Sequence, residues 1–305
     1  MITTTPSAFL DALATLPPLR APRATARAAF LVAPAASGLA AESARDNHYM
    51  QMDAAFDARR ALTQHAALAQ ALRADVPVVT FPGDPATPDA MFPNNVFATA
   101  PGRFIVARMR HAVRQREAER GDIRSFFREV LDYDEIDLSR GDRGVAELTG
   151  SLVIDHAREI GYCGLSERCD IDGARAMHDA FGLRLMFCFE LAQGEYHTNV
   201  VMASLAGRAV ILAPDGFADP AVPRAIADAF GGRALWLSPR QKHAYAANAI
   251  TLSPDRVWMS ARAAASLEDA QRATLAEWGF AVGAVELDEI EKAGGSLRCC
   301  VGEIF

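Results

Sequence analysis

One cysteine in this chain has the surroundings of a nucleophile. The segment Gly294-Gly295-Ser296-Leu297-Arg298-Cys299-Cys300 sets a thiol just after paired glycines and just before Val301-Gly302-Glu303-Ile304-Phe305, which reads as a final strand. Paired glycines allow backbone angles and close approaches closed to other residues, and a loop-to-strand junction is a rigid mount. A thiol nucleophile needs an acid/base partner, usually histidine, often backed by a carboxylate. Of seven histidines, His197 differs from the rest: Gly194-Glu195-Tyr196-His197-Thr198-Asn199 leads directly into the apolar run Val200-Val201-Met202-Ala203. His65 and His178 fall on helical patterns as surface positions, and His48, His111, His156 and His243 sit in polar loops. Glu147, in Ala146-Glu147-Leu148-Thr149-Gly150-Ser151, precedes Leu152-Val153-Ile154; Asp89 and Asn95 lie in Thr87-Pro88-Asp89-Ala90-Met91-Phe92-Pro93-Asn94-Asn95-Val96. Taken singly, each has a plainer reading: a buried structural cysteine, a vicinal Cys299–Cys300 disulfide, a capping or surface histidine, a polar turn. Four of them at the same place ahead of an apolar run favour a shared site.

The elements that must position these residues recur along the chain. Helical patterns cover 53–73, 116–131, 172–181, 220–230 and 263–278, with apolar positions three or four apart. Each is followed by a short extended run, at 77–81, 135–138, 184–189, 234–237 and 281–285, and further strand-like runs lie at 104–107, 152–155, 209–212 and 256–259. Helix centres repeat every ~45 to 60 residues, the sign of repeated supersecondary units. The expectation is a short helix or loose arm over 1–25 and a single α/β domain over 26–305, made of five modules closing into a ring. In such a ring the junctions converge on the axis and gather Asn95, Glu147, His197 and Cys299 into one pocket. The competing open, doubly wound sheet predicts a glycine-rich phosphate turn, and neither GxGxxG nor GxxxxGK[ST] occurs.

Composition bounds the partners. The 305 residues carry a formal charge of −7, with half hydrophobic and 23% charged, the proportions of a soluble globular protein. The acidic balance argues against a broad nucleic-acid footprint, and no apolar run approaches the roughly 20 residues that span a bilayer. The first 25 residues lack the basic start of a secretory signal and are broken by Asp11, Pro17 and Pro18. Five cysteines form no CxxC pair, which suggests reduced thiols and a cytoplasmic setting. Cys163, Cys169 and Cys188 have the wrong spacing for a zinc knuckle, so neither metal nor cofactor is expected, and the partner is a small-molecule substrate.

The ordered set PDAMFPNN, ELTGS, GLSER, YHTNV and GGSLRCC resembles the guanidino-group-modifying enzymes of the pentein superfamily, from about Ala28 to Phe305. It is most similar to a hydrolase branch associated with citrulline utilisation. The resemblance implies a five-fold α/β propeller and a cysteine hydrolase acting on a ureido or guanidino amino acid. It assigns Cys299 as nucleophile beside a variable Cys300, His197 as general acid/base, and Glu147 as the carboxylate that orients the histidine. It implies further that Arg168 binds the substrate's carboxylate, that Arg114 and Arg116 form a second anion-binding group, and that Asn248 approaches the site.

In arginine-processing relatives two aspartates grip the guanidinium; here those positions hold Asn95 and Asn199. A guanidinium carries a full charge and five donors, which suit carboxylates, whereas a neutral ureido group offers a carbonyl beside its N–H groups and suits amides. The expected reaction is therefore citrulline to ornithine, ammonia and carbon dioxide, with Asp89 available as a charge if its loop turns inward. Hydrolysis of arginine or a methylarginine to citrulline is the alternative, and a catalytically silent binding module a second one. The loop Arg45-Asp46-Asn47-His48-Tyr49 is a candidate lid.

Overall fold

The computed structural model of the chain describes residues 1–19, 23–35, 39–141 and 144–305. Its strands form five separate sheets. Four follow one another along the chain: Phe97–Ala100, Arg103–Val106 and Asp134–Asp137; Leu152–Asp155, Ile160–Leu165 and Leu185–Glu190; Met202–Leu205, Ala209–Leu212 and Ala234–Trp236; Ile250–Ser253, Arg256–Ser260 and Ala281–Val285. In each, the first two strands pair antiparallel and the third lies parallel to the second. A parallel neighbour requires a crossover connection, and the helical segments supply it, for instance Ile171–Phe181 and Ala221–Ala229.

The fifth sheet joins the two ends of the chain. Gly302–Ile304 pairs antiparallel with Ala28–Val32, Gly302 opposite Phe30, and Val78–Phe81 runs parallel on the far side. Ahead of it, Ile2–Thr3 adds to the second sheet beside Met186 and Phe187, and Pro6–Thr15 forms a helix that stacks Phe9 on Phe187 with ring centroids 4.7 Å apart. Among the described residues, no helix is long and apolar enough to cross a membrane.

Local chemistry sets the boundaries. Ile171–Phe181 starts where the Asp170 side chain accepts from the Gly173 N–H at 2.8 Å and stops at Gly182, whose φ is +66°. The helix expected from 53 begins at Ala58, because Asp57 caps it. The one expected over 263–278 is two, Ala261–Ser266 and Asp269–Glu277, since Leu267 turns extended and Glu268 caps the second with Gln271. The stretch 116–131 breaks into short turns of different pitch at the extended Arg120. Two histidines correct the surface assignment. His65 faces the core of Ala58–Leu72, where burial pushes its pKa down to about 4. His178 is half-buried, its Nε2 2.8 Å from the Met1 amine.

Candidate active site

Every sheet is entered through a turn, and at that point each contributes one polar or nucleophilic residue. Asn95 ends the 3₁₀ turn Pro93–Asn95 before Phe97–Ala100. Glu147 and His197 stand at the N-caps of the single helical turns Leu148–Ser151 and Thr198–Val201, which run into Leu152–Asp155 and Met202–Leu205. Asn248 precedes Ile250–Ser253, and Cys299 lies in the turn Leu297–Cys300 before Gly302–Ile304. Asn95, His197 and Cys299 line one cavity with Asp89, Arg114 and Arg168, and Glu147, Asn199 and Asn248 touch those residues from behind. The cavity is small, about 20 Å³, room for one water.

His197 and Glu147 form a fully buried pair, Nε2 to Oε2, 2.8 Å apart. Burial alone would raise the Glu147 carboxyl, but the Arg168 charge and the His197 hydrogen bond outweigh it and hold the group well below the ordinary carboxylate range. An ionised carboxylate only accepts, so the imidazole proton sits on Nε2. Nδ1 is then the basic nitrogen, and no partner reaches it among the described residues. Burial lowers the imidazole pKa against the pull of Glu147, so the ring rests neutral.

Amides surround Cys299. Asn248 Nδ2 donates to the Cys299 sulfur at 3.3 Å while Asn248 Oδ1 accepts from the Cys299 N–H at 3.4 Å. Asn199 Nδ2 lies 3.7 Å from the same sulfur and donates to the Thr149 carbonyl at 3.1 Å. Burial nevertheless pushes the thiol pKa up, against the Asn248, Arg298 and Asn199 contributions. Cys300 is a free, fully buried thiol beside it.

The two arginines already have counter-charges. Arg168 donates through Nε to Asp46 at 2.9 Å, through Nη1 to Glu147 at 3.2 Å and through Nη2 to the Ser43 carbonyl at 3.0 Å. Arg114 forks onto Glu117 through Nε and Nη2, both at 2.8 Å. Arg116 is exposed on the same turn and takes no part in the cavity, because the i+2 position points away. Segment 43–51 roofs the cavity: Asn47 Nδ2 donates to the Gly294 carbonyl at 3.2 Å and Gln51 N–H to the Lys292 carbonyl at 2.9 Å.

Sequence reasoning passed over two neighbours, Gly150 and Ser43. A Cβ on Gly150 would lie 2.6 Å from Asn95 Oδ1 and 2.8 Å from His197 Nδ1, so only glycine leaves the base uncovered. The signal was present in ELTGS, as a glycine three residues after the acid. Gly294, with φ +80°, keeps Asn47 and Met50 in contact with the thiol loop. Ser43 hydrogen-bonds Asp89 Oδ2, leaving Asp89 Oδ1 without a partner among the described residues.

Known structures share this fold. The N-terminal domain of ArgZ, an arginine dihydrolase from the ornithine–ammonia cycle in cyanobacteria, solved as a mutant bound to substrate, superposes with a TM-score of 0.78 at 20% identity, covering 91% of this chain and 97% of that one. AgrE, solved as a mutant with L-arginine, gives 0.78 at 18%, covering 91% of this chain and 40% of its own. A dimethylarginine dimethylaminohydrolase carrying a 4-chloro-2-hydroxymethylpyridine adduct gives 0.70 at 21%, covering 92% and 100%. No curated protein sequence matches significantly. The mixed α/β fold is that of the pentein enzymes. The sequence profile of the eukaryotic N,N dimethylarginine dimethylhydrolase family matches residues 33–305, and the chain therefore belongs to that family, a pentein group of cysteine hydrolases acting on guanidino C–N bonds.

Proposed function

We propose that the chain hydrolyses citrulline to ornithine, ammonia and carbon dioxide on a five-bladed α/β propeller, with Cys299 as nucleophile, His197 as acid and base, and Glu147 as its orienting carboxylate. The observation that carries this is the buried His197–Glu147 pair, whose unpartnered Nδ1 and the amide-ringed Cys299 line the same cavity. Thiol and imidazole rest neutral, so the thiol proton passes to His197 Nδ1 as the sulfur bonds to the ureido carbon. Negative charge then gathers on the carbonyl oxygen, and the Asn248 and Asn199 amide donors beside the sulfur oppose it. The imidazolium, steadied by the Glu147 charge, protonates the departing δ-amine, which leaves as ornithine. A water activated by His197 next attacks the thiocarbamoyl carbon, the C–S bond breaks, and carbamic acid falls to ammonia and carbon dioxide.

The preference for a ureido group rests on Asn95 and Asn199. Asn95 Oδ1 is buried without a partner among the described residues, an acceptor for a ureido N–H that carries no charge with which to balance a guanidinium. One feature favours arginine instead: Asp89 Oδ1, also unpartnered and at the same cavity, and ArgZ and AgrE are both seen with or named for arginine. Asp46 occupies the Arg168 fork where the substrate's carboxylate is expected, so substrate entry displaces the 43–51 segment, which acts as a lid. Product analysis after incubation with citrulline and, separately, arginine tests the assignment. Ornithine from citrulline, lost in Cys299→Ser, is the expected result; citrulline accumulating from arginine, with citrulline itself inert, refutes it.

A further inference from the structure

A second buried cavity lies on the other side of Asn199. It measures about 40 Å³, and its walls include Thr149, Asn199, His156, Thr251, Arg298 and Glu303. Polar groups share the walls with apolar ones such as Val153, Ile154 and Ile250: Arg298 Nη2 donates to Glu303 Oε2 at 2.8 Å, and Thr251 Oγ1 accepts from the Ala206 N–H at 3.0 Å. A cavity of that size with several polar partners holds more than one water. The front cavity, by contrast, has room for one and is roofed by Ser43, Asn47 and Met50. Asn199 lines the rear cavity and reaches toward the front one, its Nδ2 donating to the Thr149 carbonyl at 3.1 Å and lying 3.7 Å from the sulfur of Cys299, which lines the front.

The second half-reaction consumes water and releases ammonia, two small molecules, while the amino-acid product leaves only when the 43–51 roof lifts from the front cavity. We propose that the rear cavity is the water store and ammonia path for that half-reaction, exchanging small molecules past Asn199 while the 43–51 roof stays shut. The inference rests on the thiocarbamoyl chemistry proposed above. In that step the water oxygen bonds to the carbonyl carbon, the C–S bond breaks, and the water's proton reaches the sulfur through His197.

Potassium cyanate tests it without any amino-acid substrate, since the S–H of Cys299 adds across the N=C bond of cyanic acid and gives the same thiocarbamoyl group. Ser204→Leu and the smaller Ser204→Val push a larger side chain into the rear cavity, whose lining includes Ser204, while the neighbouring Ala203 packs in the apolar core on the opposite face of the strand; Ser204 does not belong to the catalytic set. Loss of the carbamoyl group, followed by intact mass together with ammonia release, slows on the order of tenfold in folded variants, while iodoacetamide alkylation of Cys299 keeps its wild-type rate. Melting temperatures identify a variant that fails to fold, and the other then stands in for it. Wild-type decarbamoylation rates in a folded variant overturn the rear path. Carbamoylated wild-type enzyme that releases no ammonia overturns the thiocarbamoyl chemistry itself, and the path with it.

Discussion

His197 and Glu147 come from different sheets, 50 positions apart in sequence, yet their Nε2 and Oε2 atoms meet at 2.8 Å with neither side chain reaching solvent. The contact fixes the imidazole tautomer and aims the basic nitrogen at the cavity. Glu147→Gln keeps the shape and removes the charge that steadies an imidazolium. The variant loses about two to three orders of magnitude in kcat with little change in KM. Stability falls by about 1–3 kcal/mol, less than for a fully orphaned buried ion, because Arg168 keeps Asp46. Steady-state kinetics and denaturant unfolding measure the two effects.

The resting protonation state sets a pH dependence. Burial raises the Cys299 thiol and lowers His197, so both groups favour their neutral forms in the free enzyme. Only the thiolate alkylates quickly; the iodoacetamide rate at Cys299 therefore climbs with pH, with its midpoint above that of an ordinary cysteine. A plateau already reached below neutrality would reveal a standing thiolate–imidazolium pair and sink the neutral-pair mechanism.

The parts of this site legible in sequence are those with a local signature. Cys299, His197, Glu147 and Asn95 each stand where a polar turn gives way to an apolar run, a transition visible within ten residues. The first strands Leu152–Asp155 and Gly302–Ile304 fall on runs read as extended, whereas Phe97–Ala100 and Ile250–Ser253 were less visible: Phe97–Ala100 is four residues long and buried throughout, so it shows no alternation. The apolar run Val200–Ala203 does not begin as a strand: the N–H groups beyond His197 close the helical turn Thr198–Val201 first, and the strand starts at Met202. The Asp46–Arg168 contact spans 122 positions, and no local pattern encodes such a pairing. His65 was misplaced for a related reason, since periodicity marks a helix face without saying which neighbour covers it.

Asp46 holds the roof down through Arg168, and His111 Nε2 lies 2.9 Å from its other oxygen. Burial would raise its carboxyl, but the Arg168 and His111 interactions prevail and keep it below the usual value. Asp46→Ala removes these two contacts and leaves the segment held by the weaker Asn47–Gly294 and Gln51–Lys292 hydrogen bonds. Iodoacetamide then reaches Cys299 about tenfold faster as the open form gains population; an unchanged rate would mean that the segment does not gate the thiol.

Gly150 has no room for a methyl group. The added carbon of Gly150→Ala would sit 2.7 Å from His197 Cε1 and 2.6 Å from Asn95 Oδ1, forcing both away. Overpacking of this kind costs about 1–3 kcal/mol of stability. Displacement of the base by a fraction of an ångström costs at least about 100-fold in kcat. Thermal unfolding and turnover assays separate the two, and a variant that stays active places the base elsewhere.

The choice between ureido and guanidino substrates turns on two amides. In Asn95→Asp/Asn199→Asp the cavity gains two carboxylates, one of them close to the position from which Asn199 Nδ2 now faces the Cys299 sulfur at 3.7 Å. A carboxylate cannot donate to the carbonyl oxygen as negative charge develops there, and it repels that charge. Loss of one such donor costs about 10²–10³ in rate, so citrulline turnover falls at least about 100-fold. A guanidinium meets the opposite situation: its five donors find two acceptors and its charge two counter-charges, so arginine gains affinity by calorimetry even where the thiol, raised further by the new negative charge, reacts slowly. Separating binding from turnover is therefore essential. Citrulline turnover that survives both substitutions intact would show that the amides do not select the neutral group, and Asp89 would then be the residue that decides the substrate's charge.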